Sequence, residues 1–408
     1  MSPQPVPQRA RRRRGPLRDR SGTATLRVAF DVTPLIGPRT GVGNLVAGFH
    51  NALMGHEDLE LVVYATTLRG RAAIAKNLHA RIAPLPARLL RSAWMRIDAP
   101  SVECWSGPVD MVHGMNYVVP PTRSDRSLAS VHDLTFVHFP TMCTKDTLQY
   151  PGILRRAFRR GAHVHVDSEF VGREVVSWSG LDPERIHVVN PGLVPLQNAP
   201  AEVGGSPEAL DELLPASWSG RLRGRPFVLG LGTVEPRKDY PTLVRAFAEL
   251  AHLDDDLVLV IAGTEGWGSS ALDEAEDRLP AAVRARILKL GYVSEVEKVL
   301  LLKRARVLAY PSVYEGFGLP PLEAMQHRTP VVSSVAGSLP EVLADAALFV
   351  EVGDHMGLAE QLLRAHNDDA LRSELVARGN GRVARYTWQR AGSELLSVYR
   401  AVVESTTP

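Results

Sequence analysis

Arg306-Val-Leu-Ala-Tyr-Pro-Ser-Val-Tyr-Glu-Gly-Phe-Gly-Leu-Pro-Pro-Leu-Glu-Ala-Met325 is the stretch that decides how this chain is read. The apolar run Arg306–Tyr310 predicts a buried strand, and the sequence beyond the loop turns helical. Gly316 and Gly318 let the backbone approach a ligand more closely than residues with a Cβ could. Pro320 and Pro321 suit a helix start, where a missing N–H costs little. Glu315 is therefore expected in the strand-to-helix loop and Glu323 in the first helical turn. Both would face whatever binds at the helix N-terminus, a natural anion site. A sugar diphosphate fits: amides of Gly316, Phe317, Gly318 and Leu319 hold phosphate while the two carboxylates accept hydrogen bonds from hydroxyls. The alternative is a Gly/Pro turn followed by a solvated helix face.

Working outward, the same strand–loop–helix pattern recurs on both sides. Leu26–Phe30, Leu59–Tyr64, Met111-Val112, Leu128–Val131, Ala162–Val166 and Ile186–Val189 read as strands, with amphipathic segments such as Asn44–Met54 and Gly152–Arg160 between them. After Asn190-Pro-Gly192 the composition shifts to Pro, Gly, Ser and Ala over 195–224, which reads as a connector enclosing one short helix. The pattern then restarts with Phe227–Leu231, Leu257–Ile261, Ile287–Leu290, Val307–Tyr310, Val331-Val332 and Leu348–Val350. Alternation of this kind predicts parallel sheets covered by helices. At 408 residues the chain exceeds one ordinary core. The expected fold is therefore α/β, two tandem Rossmann-like doubly wound domains at 26–194 and 225–385. They would face a central cleft at the carboxyl ends of their strands. Residues 386–408 carry a final helical pattern, Gln389–Ser405, with no strand after it, expected to pack back across the domain junction.

Other strand ends point to the same edge. Gly230-Leu-Gly-Thr233 ends one strand, and Gly232 and Thr233 are small enough to let phosphate approach the backbone. Glu235-Pro-Arg-Lys238 follows at once; Arg237 supplies a fork of donors and Lys238 a mobile ammonium. In Leu290-Gly-Tyr-Val293 the backbone at Val293 could read a nucleotide base, or be an ordinary strand exit. The loop Gly37–Asn44 lacks the third glycine of the dinucleotide fingerprint. Gly41 and Gly43 could still cradle phosphate or acceptor from the opposite wall. His132-Asp133 follows the strand Leu128–Val131 and points at the cleft, with His113, Asn116 and Ser168-Glu169 at similar strand ends. Asp254-Asp-Asp256 precedes its strand and so lies at the opposite edge; no metal site is expected. No Gly-X-Ser-X-Gly elbow is present, so nothing signals a hydrolase.

Composition narrows the setting. A formal net charge of +2 gives no sign of nucleic-acid binding. Cys104 and Cys143 alone provide neither a disulfide framework nor a thiolate metal site. No apolar stretch reaches the length of a membrane span, and the basic N-terminus lacks a signal peptide's apolar segment. A cytoplasmic protein is expected. Residues 1–25, rich in Pro, Arg and Ser, read as a disordered tail. The run Arg11–Arg14 either has no role or is drawn to anionic lipid at the inner face of the membrane.

The two carboxylates at this spacing, the Gly-Thr…Arg-Lys segment, Val131-His-Asp-Leu134 and Val166-Asp-Ser-Glu-Phe170 together resemble family-4 retaining glycosyltransferases of the GT-B fold. The resemblance spans about residue 26 to residue 405. It implies that Glu315 binds hydroxyls of the transferred sugar, Glu323 holds the donor ribose, Arg237 and Lys238 grip the diphosphate, and His132 lies near sugar and acceptor. Nearest in flavour are bacterial mannosyltransferases and rhamnosyltransferases building polysaccharide or glycolipid. Partners would be a nucleotide-sugar donor and a sugar or lipid-linked acceptor, with no metal or other cofactor. Asn190-Pro-Gly192 departs from the family's usual Pro-Asn-Gly order. A sugar-nucleotide epimerase, a phosphorylase with lysine-bound pyridoxal, or a catalytically silent sugar-nucleotide-binding scaffold would use the same cleft.

Overall fold

The structure, a computed structural model, describes residues 25–36, 41–67, 78–194, 207–267 and 269–405. The Arg11–Arg14 run, Gly37–Thr40 and the first part of the connector lie outside those residues. Two parallel sheets organise the rest. The first contains β1 (Leu26–Asp31), β2 (Leu59–Ala65), β3 (Arg81–Ile82), β4 (Met111–Gly114), β5 (Ser127–Val131), β6 (His163–Val166) and β7 (Ile186–Val188), in the order β3-β2-β1-β4-β5-β6-β7. The second contains β8 (Phe227–Leu231), β9 (Val258–Ala262), β10 (Ile287–Gly291), β11 (Val307–Tyr310), β12 (Val331–Ser334) and β13 (Leu348–Val350), in the order β10-β9-β8-β11-β12-β13. β8, β9, β11 and β12 are buried throughout because helices cover both faces of the sheet. β3 is the one strand absent from the expected set; two residues are too few to carry an apolar pattern.

Strand order reverses between β1 and β4 in the first sheet and between β8 and β11 in the second. At such a switch point the loops leaving neighbouring strands diverge and leave a crevice. β11 lies beside β8 with Val307 opposite Val228 and Leu308 opposite Leu229. The loops bearing Arg237-Lys238 and Glu315 therefore emerge side by side.

Two local expectations need correction. The helix after β1 spans Gly41–Leu53, so Gly41 and Gly43 sit in its first turn and not in a loop. Gly43 is buried there, since Val46, Phe49 and Leu53 pull the whole segment onto the sheet. Among the described residues of the stretch 195–224, two helices form instead of the one expected, Pro207–Glu212 and Ala216–Leu222. Leu210, Leu214, Trp218 and Leu222 pack with Phe227 in the second sheet's core, so this part is a structural layer of that sheet.

The last helix, Trp388–Glu404, returns to the first sheet. Ala391, Leu395, Leu396, Tyr399 and Val402 join Phe30, Phe49, Met111 and Leu128 in one apolar cluster. Tyr399 also closes a buried polar chain. Its Oη lies 2.7 Å from His113 Nδ1, His113 Nε2 lies 2.9 Å from Ser130 Oγ, and Ser130 Oγ lies 2.8 Å from His165 Nδ1. His165 Nε2 lies 3.2 Å from the Val189 carbonyl. One proton order satisfies every atom: Tyr399 donates to His113, His113 to Ser130, Ser130 to His165, and His165 to Val189. Both imidazoles are then neutral, which agrees with burial pushing the pKa of each down. His113 is thus a core residue and not a ligand contact. Tyr399→Phe is expected to destabilise the protein by about 1–3 kcal/mol in urea unfolding, the cost of leaving His113 Nδ1 buried without a donor.

Candidate active site at the cleft

Glu315, Arg237 and Lys238 form one buried cluster. Glu315 Oε1 accepts from Lys238 Nζ at 2.6 Å, and Oε2 pairs with Arg237 Nη1 at 2.6 Å. Lys238 Nζ also donates to Tyr310 Oη at 2.6 Å and sits 4.6 Å from the centre of that ring. Arg237 donates to Glu235 at 2.7 Å and to the Tyr314 carbonyl at 3.1 Å. Burial by itself would raise the Glu315 pKa, but the Arg237 and Lys238 charges hold it down to about 2. Burial pushes the Lys238 ammonium below its ordinary value, against the opposing pull of Glu315. Burial also works against the Arg237 guanidinium, yet Glu315 and Glu235 hold it well above the ordinary range. The two cations face two carboxylates, so the cluster carries no net charge, with Lys238 and Glu315 buried and Arg237 and Glu235 half-buried.

The local fold explains these positions. A 3₁₀ turn, Pro236–Lys238, follows β8 and carries both cations. The Glu315 loop follows β11, and Gly318 caps the helix Leu319–Gln326. Gly316 packs against the first domain so closely that a Cβ would stand 1.8 Å from the His132 carbonyl oxygen. No other residue fits there without parting the domains. Phe317 is buried against Tyr386 and Leu319 is half-buried beside it. Gly232 and Thr233 line the exit of β8, where Gly232 N–H donates to Ala262 and its carbonyl accepts from Tyr240. Val293 stands half-buried just after β10.

Four expected residues behave differently. Glu323 is the fifth residue of its helix, one turn deeper than expected, because the helix already begins at Leu319. Its carboxylate accepts from Lys298 Nζ at 2.8 Å; burial raises its pKa and Lys298 partly offsets that. His132 is buried with both ring nitrogens engaged, Nδ1 donating to Asp167 at 2.7 Å and Nε2 to the Met115 carbonyl at 2.8 Å. Burial would lower its pKa, but Asp167 and the Met115 carbonyl raise it overall. Two acceptors fix the ring as an imidazolium, leaving Asp133 as the more open group of that pair. Gly41 and Gly43, now helical, stay on the first domain's side of the crevice.

Tyr310, Asp167, Lys298 and Tyr314 were not singled out from the sequence. Tyr310 and Asp167 stand at or just past a strand end, a signal that was legible. Lys298 and Tyr314 carried none, since their partners come from other elements. Tyr314 crosses the cleft: its Oη accepts from Leu134 N–H at 3.0 Å and donates to Glu174, and its ring lies against Phe139 and Phe170. Among the described residues no group of acidic, His and Cys side chains is arranged to hold a metal ion, and no helix is long and apolar enough to cross a membrane. Asp254 pairs with His366 at the far edge of the second sheet.

The depressed Glu315 pKa has a sign that can be read out. Its ionised form stabilises the fold fully above the ordinary value of 4.5, and this contribution is lost as pH falls from there towards about 2. In Glu315→Gln, the acid-side slope of unfolding free energy over that window should fall by about one proton, measured by urea unfolding at stepped pH.

Comparison with known proteins agrees with this geometry. Residues 218–382, which contain the ion cluster, match the family described as Glycosyl transferases group 1. O-antigen chain mannosyltransferase B of Escherichia coli is 29% identical over 290 residues, 71% of this chain and 73% of that protein. Phosphatidyl-myo-inositol mannosyltransferase of Mycolicibacterium smegmatis is 36% identical over 180 residues, covering 43% of this chain and 45% of that protein. This chain therefore spans less than half of the latter. Among solved structures, Anabaena HepE in complex with UDP-glucose superimposes with a TM-score of 0.68 at 15% identity, covering 91% of this chain and all of that one. Sucrose-phosphate synthase from Thermosynechococcus elongatus gives 0.67 at 19%, covering 93% of this chain and 100% of that chain. Two Rossmann-like domains meeting at a cleft give the chain the GT-B architecture, and its second domain matches a glycosyltransferase family.

Proposed function

We propose that the protein is a retaining hexosyltransferase that moves mannose or a similar hexose from a nucleotide diphosphate sugar to an acceptor hydroxyl in polysaccharide or glycolipid synthesis. The observation that carries this reading is the Glu315 carboxylate, kept ionised and buried between Arg237 and Lys238 at a strand-order switch point. Mannosyltransferases among the relatives favour that sugar. UDP and UDP-glucose in complexes of a structural neighbour favour a nucleoside diphosphate as the carrier.

With donor bound, the diphosphate competes with Glu315 for Arg237 and Lys238, since both cations already pair with that carboxylate. Glu315 is then freed to accept hydrogen bonds from sugar hydroxyls, and the cations face the phosphate oxygen that gains charge as the glycosidic bond breaks. Donors already in place when charge develops need no reorganisation, and this is where most of the rate gain arises. Glu323, next to Lys298, is assigned to the ribose, and the backbone at Val293 to the base. Asp133, on the first domain's wall, is assigned to the acceptor side. The reading needs no metal, because the two cations supply the positive charge. It also places the protein in the cytoplasm, with Arg11–Arg14 touching anionic lipid when the acceptor is lipid-linked.

Thermal shift with a panel of nucleotide sugars identifies the donor, since a ligand bound only by the folded state raises stability. With that donor, Glu315→Gln should lower kcat by about a hundredfold while changing donor affinity far less, as removal of a transition-state contact does. Near-normal turnover would exclude the role given to Glu315. Turnover should also persist in EDTA; activity abolished by the chelator and restored by manganese would overturn the metal-free reading.

A further inference from the structure

The short segment 337–341 touches both domains at once. Ser338 donates to the Glu315 carbonyl through its backbone N–H at 3.0 Å and through Oγ at 3.1 Å. Gly337 has φ +58°, and a Cβ there would stand 2.2 Å from the same carbonyl oxygen. The position demands glycine both for its backbone conformation and for its closeness. Three residues beyond Ser338, the Glu341 carboxylate reaches into the first domain. Oε1 accepts from Glu169 N–H and Oε2 from Phe170 N–H, each at 2.8 Å.

Those two amides are the first of the helix Glu169–Ser179, and a helix cannot satisfy its own leading N–H groups. Ser168 is the N-cap and accepts only from Val171, at 3.3 Å. The remaining cap thus comes from the other domain. The pairing is favourable twice over, as charge-assisted hydrogen bonds and as a negative charge at the positive end of a helix. Ser168 Oγ meanwhile donates to the Gly316 carbonyl at 2.8 Å, so the same helix start holds the residue next to Glu315. Opening the cleft would break all three hydrogen bonds together. The carboxylate is about 30% exposed, which suits a contact that forms and releases with the ligand cycle.

We infer that Glu341 is a positioning residue that latches the two domains and, through Ser338, sets the backbone of Glu315 only when the cleft is closed. The inference rests on the reading of Glu315 as the carboxylate that contacts the transferred sugar. Glu341 reaches neither substrate nor the reacting atoms; it acts by coupling closure to the geometry of the ion cluster.

Small-angle X-ray scattering and kinetics on the full chain test this with Glu341→Gln and Glu341→Ala. Arg173→Ala serves as a control, since Arg173 lies 4.0 Å from Glu341 but is not part of the cap. Melting first establishes that each variant is folded. In the absence of ligand, both Glu341 variants should show a larger radius of gyration than wild type and control. Turnover of the donor found by thermal shift should fall about tenfold in kcat, the scale of one lost charge-assisted contact, with little change in affinity for the free nucleoside diphosphate. An unchanged radius of gyration would overturn the latch. A larger radius with unchanged kcat would overturn its coupling to Glu315. A wild type that turns over no nucleotide sugar would instead sink the functional reading, and the scattering would still decide the latch.

Discussion

The Glu315 carboxylate lies buried between the buried Lys238 ammonium and the half-buried Arg237 guanidinium, and much of the cleft is arranged to make that arrangement tolerable. Burying one of these charges alone would be prohibitive; burying them as a hydrogen-bonded cluster makes each the condition for the others. The two cations come from the turn after β8 and the carboxylate from the loop after β11. The cluster can therefore form only if β8 and β11 are neighbours, and that adjacency is what reverses the strand order of the second sheet. Tyr310, the last residue of β11, accepts a second hydrogen bond from the Lys238 ammonium.

The same constraint extends across the cleft. The Glu315 carbonyl is held by Ser338, its neighbour Gly316 by Ser168 of the first domain, and the residue before it, Tyr314, by Leu134 and Glu174. The loop that carries Glu315 is therefore also a seam between the domains. Trp267 adds a bond at the rim by donating to the Met142 carbonyl at 3.0 Å. A site built this way can be assembled by closure and taken apart by opening.

His132 shows how a sequence signal can be right about place and incomplete about role. Its position after β5 does bring it to the cleft edge, and its carbonyl touches Gly316. The imidazole, however, is spent on Asp167 and Met115, an arrangement that turns on β6 and on the loop after β4. Glu323 is similar. Its helix was legible, yet its depth and its pairing with Lys298 depended on how the helix Glu295–Arg304 packs beside it.

What the sequence determined by itself was the sort of thing that local pattern encodes. Apolar runs of strand length, alternating with helical segments, set two parallel sheets, because strands covered on both faces must be apolar throughout. Gly and Pro placement set the loop and helix start around Glu315. What only the tertiary structure decided was which distant groups meet. The Tyr399–His113–Ser130–His165 chain, the second helix in 207–224, the pairing of Glu323 with Lys298 and the capping of one domain's helix by Glu341 of the other all join residues from separate elements. Hydrogen bonds and ion pairs act over about 3 Å in space with no regard for distance along the chain. A reading based on spacing along the chain therefore finds the strand end that carries a charge, and only packing says which opposite charge it meets.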